Sequence, residues 1–317
     1  MKVISAAEIG RTLDWPSTIH ALEQAFRQEC KMPTRHHHVI SEGPEPPIHL
    51  LMPAWIPNRY LGVKVVNVFP ANAQIGKPSV SGVYLLFSAQ TGETLAIFEG
   101  GELTARRTAA ASALAARYVA RRDASRLLIV GTGRLSRHLA SAHASVRPIT
   151  QVSVWGRNPE KAAAVARALC ESGLPADSVV DLEGAVGRAD IVSCATLSTQ
   201  PLVRGAWLRP GAHLDLVGGF TPAMRETDDD AIRRSQVFVD TRAGAMKEAG
   251  DIVIPLQTDV LSPDGIRGDL FDLARNNHPG RINDEHITLF KSVGAAIEDL
   301  AAASLVFEKS SPAHAGT

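Results

Sequence analysis

The chain has 317 residues, of which 45% are hydrophobic and 21% charged, and its 33 basic and 33 acidic side chains cancel to a formal net charge of zero. That length exceeds one ordinary hydrophobic core and suits two domains. The cancelled charge excludes a global field drawing the protein to nucleic acid or an anionic membrane, and no apolar run reaches the ~18 residues of a membrane helix.

The opening MKVISAAEIG has no basic stretch followed by an apolar one, so no signal peptide is expected. STIHALEQAFRQEC reads as a helix within the first thirty residues. Pro33, Pro44, Pro46, Pro47, Pro53 and Pro57 then break regularity, and HLLMPAW between them reads as a short or edge strand. LGVKVVNVF and VSGVYLLFSA read as strands, and QTGE as a hairpin turn in which Gly92 supplies a positive φ. The first block therefore reads as a mostly antiparallel sheet with flanking helices. From Leu103 the alanine-rich LTARRTAAASALAARYVA reads as a long helix with Arg106 and Arg107 at its start.

Strand and helix then alternate. SRLLIVGTG is a strand and turn, RLSRHLASAHASV a helix, QVSVWGR a strand, and NPEKAAAVARALCESG a helix ended at Gly173. DIVSCAT, HLDLVGG and QVFVDTR are further short apolar strands, and the spacing argues for a parallel doubly wound sheet. The Asp228–Asp230 run suits the positive end of a helix. DEHITLFKSVGAAIEDLAAASLVFEK reads as one long closing helix, and SSPAHAGT as a frayed end. The fold class is α/β: a Rossmann-type parallel sheet over residues 119–283, plus an α+β substrate-binding and dimerisation domain from 1–118 and 284–317. Cys30, Cys170 and Cys194 are odd in number and far apart, which fits a reducing cytoplasm; Cys194 in IVSCAT reads as a small buried hydrophobe.

Gly131-Thr132-Gly133-Arg134-Leu135-Ser136 follows an apolar strand and opens a helix. This G-x-G-x-x-S run gives a tight turn at Gly131, close backbone approach at Gly133, and helix N–H groups for a pyrophosphate. An NAD site wants an acid near the end of the next strand; here stand Arg157, Asn158 and Lys161 instead. A guanidinium forks onto a 2′-phosphate, so NADPH is expected, with NADH used less well. Lys64 sits mid-strand on the face of Val66, where it is either a snorkelling surface lysine or a buried cation that an anionic substrate could partner. Arg35 and Arg107 are further cations in breaker-rich or apolar context, and one of Arg106 and Arg107 can face a ligand at the helix start. His36, His37 and His38 cannot all face one centre, and no metal site is expected.

GVKVVNVFPAN, TGETLA, LTARRTAAASALAA, VGTGRLS and FKSVGAAIEDLAAA together resemble the ornithine cyclodeaminase/μ-crystallin family. The resemblance implies a homodimer. It places the carboxylate-binding cations on Arg35, Lys64 and Arg107; Ser79 is a further candidate substrate contact. It places the cofactor on Thr108, the Gly131–Leu135 turn, Thr196, Val217 and Gly218. Ser292, Val293 and Gly294 match the segment approaching nicotinamide and substrate. The departures redirect the chemistry. Phe220 in VGGFTPAMRE stands where a cyclodeaminase carries an Asp, and Leu50 where an acid precedes Leu-Met-Pro. GTGRLS, VWGRN, VGGFTPAMRE and VDTRAGAMKEAGDI resemble the Δ1-pyrroline-2-carboxylate/Δ1-piperideine-2-carboxylate (ketimine) reductase subgroup. It implies reduction of cyclic imino acids to L-proline and L-pipecolate, with Phe220 against the ring. Ornithine cyclodeaminase, an amino-acid dehydrogenase and a non-enzymatic NADPH-binding protein stay open as alternatives.

Overall fold

A computed structural model describes residues 1–43 and 46–310; Pro44 and the tail from residue 311, read above as frayed, lie outside the described residues. The chain divides into two compact units, Met1–Arg107 with the segment from Ala296, and Thr108–Ala295.

The first unit begins with β1 (Lys2–Ile4), α1 (Ala6–Thr12) and α2 (Trp15–Arg27), followed by β2 (His36–Val39), β3 (Ile48–Ile56), β4 (Tyr60–Val68), β5 (Val80–Ser88) and β6 (Thr94–Glu99). Asp14 caps α2 by accepting from Ser17 N at 2.8 Å. The sheet order is β1-β6-β5-β4-β3-β2, antiparallel except for the parallel β1–β6 pair. Alternation puts Met52, Ala54, Lys64, Tyr84, Leu86, Ala96 and Phe98 on the buried face, and Val63, Val65, Val83, Leu85 and Ile97 on a face left half-buried or exposed. Gly92 holds φ +74 in the β5–β6 turn, as the QTGE pattern predicts.

HLLMPAW forms part of a nine-residue strand, longer than its prolines suggest. β2 pairs with β3 only as far as Leu51, and the next contact on that side is the Lys31–Trp55 bridge. Pro53 falls in the gap between them, where a missing N–H costs no ladder bond. α3 (Gly100–Val119) starts earlier than expected, because Glu99 accepts from Gly101 N and Glu102 N at 2.8 and 2.7 Å. Arg106 and Arg107 therefore lie in the second turn, not at the helix start.

The second unit carries β7 (Arg126–Val130), α4 (Leu135–Ala144), β8 (Gln151–Trp155), α5 (Pro159–Glu171), β9 (Ala176–Ser178), α6 (Leu182–Arg188), β10 (Ile191–Cys194), β11 (His213–Leu216), α7 (Asp229–Arg234), β12 (Ser235–Val239), α8 (Arg242–Glu248), α9 (Gly250–Gln257), β13 (Ile266–Asp269), α10 (Leu270–Ala274) and β14 (Ile287–Lys291). All strands are parallel, in the order β13-β12-β14-β11-β10-β7-β8-β9, so the winding reverses between β7 and β10. This is the Rossmann-type doubly wound sheet. Cys194 is fully buried in its core, and Asp228 caps α7 through Ala231 N.

α11 (Ala296–Ser310) returns to the first unit and packs on α2, β3, β4 and β5. The single closing helix expected from Asp284 is thus corrected. ITLFK is a strand, β14, buried at every position between β11 and β12. A strand covered on both faces reads as a continuous apolar run and lacks the alternation that tells strand from helix. The boundaries at 118/119 and 283/284 move accordingly, to 107/108 and 295/296. No helix among the described residues is long and apolar enough to cross a membrane.

Candidate functional site

In the first unit, β4 and α3 carry two buried cations and α11 carries two buried acids. Lys64 Nζ lies 2.8 Å from Asp299 Oδ2. Arg107 donates from Nε to Asp299 Oδ1 at 3.0 Å and from Nη1 to Glu298 Oε2 at 2.6 Å. All four side chains are at most 5% exposed. Lys64 is therefore no snorkelling surface lysine, and its partner within the fold is Asp299 rather than an external anion. Burial and the neighbouring Arg107 charge bring its ammonium down to about 8, against the opposing pull of Asp299; Arg35 adds to the lowering. Burial also disfavours the Arg107 guanidinium, but Asp299 and Glu298 outweigh it and hold the group above the usual arginine value.

The two cations and two carboxylates balance in charge. The cluster still keeps donors to spare: Nη2 of Arg107 and the remaining ammonium protons of Lys64. Arg35, half-buried just before β2, completes the expected trio. Ser79 does not join it. It lies beyond the Val68–Val80 pair, whereas Lys64 faces Tyr84 farther along β5, and its hydroxyl turns to Pro70 O at 3.5 Å. Arg106 is held by Glu102 and Leu13 O. Tyr84, on the same buried face as Lys64, has no hydrogen-bond partner for its hydroxyl.

Glu298 and Asp299 escaped the sequence reading. The signal was present: two adjacent acids inside the apolar run AAIEDLAAASLVF have to be paired if that run is buried.

In the second unit the expected cofactor residues gather at the carboxyl ends of adjacent strands, where open α/β sheets bind ligands. Gly131–Gly133 follow β7, Thr196 follows β10, Val217 and Gly218 follow β11, and Ser292–Gly294 follow β14. Gly131 has φ +129, and a Cβ there would lie 2.6 Å from Ala195 O; a Cβ on Gly133 would meet nothing within 4 Å. The turn is thus closed behind and open in front. Arg134 stands at the N-cap of α4 without a side-chain capping bond, and Leu135 opens the helix. Ser136 keeps helix and strand together by donating to Gly131 O at 2.9 Å. These features fit a dinucleotide pyrophosphate.

Arg157, Asn158 and Lys161 are exposed beyond β8. Asn158 also has a structural duty, capping α5 by accepting from Lys161 N at 3.0 Å. Thr108 is buried on α3. Phe220 is 38% exposed on the loop after β11.

Three more acids went unread in the sequence. Glu226 accepts from Thr196 and Gly218, Asp251 holds the backbone of Glu226, and Asp240 accepts from Ser292 Oγ, Val293 N and Gly294 N. Among the described residues no cluster of His, Cys, Asp or Glu could hold a metal ion.

A Δ1-pyrroline-2-carboxylate reductase of Colwellia psychrerythraea is 38% identical over 98% of this chain and 99% of its own. The structure of the Δ1-pyrroline-2-carboxylate reductase of Thermococcus litoralis, in complex with NADH and L-proline, superposes with a TM-score of 0.93 at 34% identity, covering 98% of this chain and 97% of that one. An archaeal alanine dehydrogenase dimer with bound NAD superposes at 0.91 with 27% identity, covering 100% of this chain and 98% of that one. The family profile described as ornithine cyclodeaminase/mu-crystallin matches residues 1–313. The chain belongs to the ornithine cyclodeaminase/mu-crystallin family.

Proposed function

We propose that this protein is an NADPH-dependent reductase of cyclic imino acids, converting Δ1-pyrroline-2-carboxylate to L-proline and Δ1-piperideine-2-carboxylate to L-pipecolate. The observation that carries the reading is the charge-balanced Lys64–Asp299–Arg107–Glu298 cluster, in a chain that also carries an open dinucleotide turn. Both carboxylates of the cluster already face its own cations, so neither is set aside for a diamine, while Arg35 and the spare donors of Lys64 and Arg107 suit one carboxylate. The 38% identity to a named pyrroline-2-carboxylate reductase supports the same substrate class.

In this reading Arg35, Lys64 and Arg107 hold the substrate carboxylate, and Phe220 packs against the ring methylenes. Gly131–Leu135 take the pyrophosphate, Arg157, Asn158 and Lys161 the 2′-phosphate, Thr108, Thr196, Val217, Gly218, Ser292 and Val293 the nicotinamide end, and Gly294 the substrate. NADPH, when bound, supplies a hydride for the imine carbon. The substrate brings the positive charge that the hydride cancels, so fixed position rather than an oxyanion hole is what the side chains contribute. Lys64, brought down to about 8, is able to hold or release a proton near neutral pH. The half-exposed apolar face around Val63, Val83 and Leu85 supports a homodimer formed on this sheet, with the first unit as the substrate-binding and dimerisation domain. The three unpaired cysteines support a reducing, cytoplasmic setting.

The test is NADPH oxidation with each cyclic imine, with L-ornithine, and with pyruvate plus ammonia. Turnover of the imines without added ammonia is expected. Ammonia release from ornithine, or oxidation only when ammonia is present, would replace this reading with deamination or with a dehydrogenase. Tight NADPH binding without turnover of any imine would leave a binding protein.

A further inference from the structure

The second unit carries a buried charge cluster of its own, which neither the substrate contacts nor the cofactor contacts proposed above include. Glu226, Asp251 and Lys291 are each fully buried. Glu226 Oε1 accepts from Thr196 N at 2.7 Å and Thr196 Oγ1 at 2.8 Å. Its Oε2 accepts from Gly218 N at 2.8 Å and Gly219 N at 3.4 Å. One carboxylate thus ties the loop after β10 to the loop after β11. Gly218 permits this, since a Cβ there would stand 2.5 Å from Glu226 Oε1 and 2.0 Å from Thr196 O.

Glu226 is held in turn. Asp251 Oδ1 accepts from Glu226 N at 2.9 Å and Thr227 N at 3.1 Å, and Asp251 Oδ2 lies 3.2 Å from Lys291 Nζ. Lys291 ends β14 and leads into Ser292–Gly294. The cluster therefore reaches the ends of β10, β11 and β14, the strand ends where the proposed nicotinamide residues lie. Buried ionic groups are poor devices for stability alone, since apolar packing serves as well. What Glu226 supplies here is the direction of three backbone N–H groups and one hydroxyl.

We propose that Glu226 is a positioning residue for the cofactor: by accepting from Thr196, Gly218 and Gly219 it sets the two strand-end loops before the nicotinamide arrives, with Asp251 and Lys291 fixing Glu226 itself. This rests on the reading of the second unit as the cofactor-binding unit. The role needs an acceptor at both oxygens and the full reach of a glutamate side chain. Glu226→Gln keeps the shape but turns an N–H₂ donor toward N–H donors. Glu226→Asp keeps the charge but is one methylene short of spanning both loops.

The experiment measures the NADPH dissociation constant by energy transfer from tryptophan to the bound cofactor, together with kcat, KM and thermal midpoint, for the full-length wild type, Glu226→Gln and Glu226→Asp. Both variants are expected to bind NADPH about tenfold or more weakly, from buried donors left unpaired. That loss should appear at temperatures where circular dichroism shows them folded, with kcat falling while KM for the imine stays within about twofold. A purely structural role predicts a lower midpoint with unchanged NADPH affinity, and a purely electrostatic role predicts rescue by Asp; either result overturns the proposal.

Amide exchange on the wild type needs no variant to fold. The amides of Thr196, Gly218 and Gly219 should be protected before cofactor is added and little changed after it. Fast exchange in the free protein overturns the proposal. If the wild type binds no nicotinamide cofactor, the functional reading fails, and the positioning role for a cofactor fails with it; protected amides would then mark the cluster as structural only.

Discussion

Asp299 joins Lys64 to Arg107, so Asp299→Asn tests the charge logic of the substrate site. In the wild type, Lys64 titrates at about 8, lowered by burial and Arg107 and raised by Asp299 at 2.8 Å. An opposite charge this close shifts a pKa by about 1–3 units, so its removal should take Lys64 down to roughly 5–7. That corresponds to about 1.4–4 kcal/mol between the two protonation states. Asn Oδ1 can still accept from Arg107 Nε, which leaves the guanidinium in place.

The assay is the inhibition constant of tetrahydrofuran-2-carboxylate, a ring carboxylate without an imine nitrogen, whose own charge is constant from about pH 5 to 10. Wild-type affinity should decline as pH rises through about 8, where Lys64 loses its proton. In the variant the decline should begin one or more units lower, so that at pH 7.5 inhibition is about tenfold weaker while near pH 5 the two proteins converge. An unshifted or upward-shifted inflection in Asp299→Asn refutes the ion-pair reasoning. A wild type with flat affinity through pH 9.5 refutes Lys64 as a carboxylate ligand.

Lys64→Met should lower kcat/KM for the imine by about a thousandfold or more, as expected when a directed, desolvated ligand is lost, with NADPH affinity unchanged; near-normal turnover would remove Lys64 from the site. The same variant reports on stability. Folded Lys64 titrates below its ordinary 10.5, so between about pH 8 and 10.5 the unfolded chain holds a proton that the folded chain has released. Wild-type stability relative to Lys64→Met should therefore rise by about 3 kcal/mol as pH climbs through that window, and be lost again as pH falls to about 8; urea melts at both pH values measure it. Gly133→Ala meets nothing within 4 Å in the protein, so its thermal midpoint should hardly move, while NADPH binding measured by calorimetry should weaken about tenfold as the methyl occupies the open front of the turn. Arg157→Ala should raise KM for NADPH about tenfold or more and leave KM for NADH nearly unchanged; equal effects on both cofactors would dismiss the 2′-phosphate contact.

Local and repetitive features were legible in the chain alone. The G-x-G turn after an apolar strand, the alternation of strand and helix from residue 126, and the QTGE hairpin each depend on residues within a few positions of one another, and the structure has them all. The family resemblance was legible for the same reason, being carried by short motifs. Periodicity failed where burial is two-sided. Ile287–Lys291 has no polar face to mark it as a strand, and only its place between β11 and β12 makes it one.

The tertiary structure alone decided the electrostatics. Lys64 and Asp299 are more than two hundred residues apart in the chain, Arg107 and Glu298 are 191 apart, and no spacing rule connects either pair. Burial made each charge require a partner, and the packing of α11 on β3, β4 and β5 supplied it. The same holds for Glu226, which in the sequence is one acid before a run of aspartates. Closure of the loop after β11 sets its carboxylate against the backbone of Thr196 and Gly218. Local pattern thus fixed which elements form, and long-range packing fixed which charges face each other.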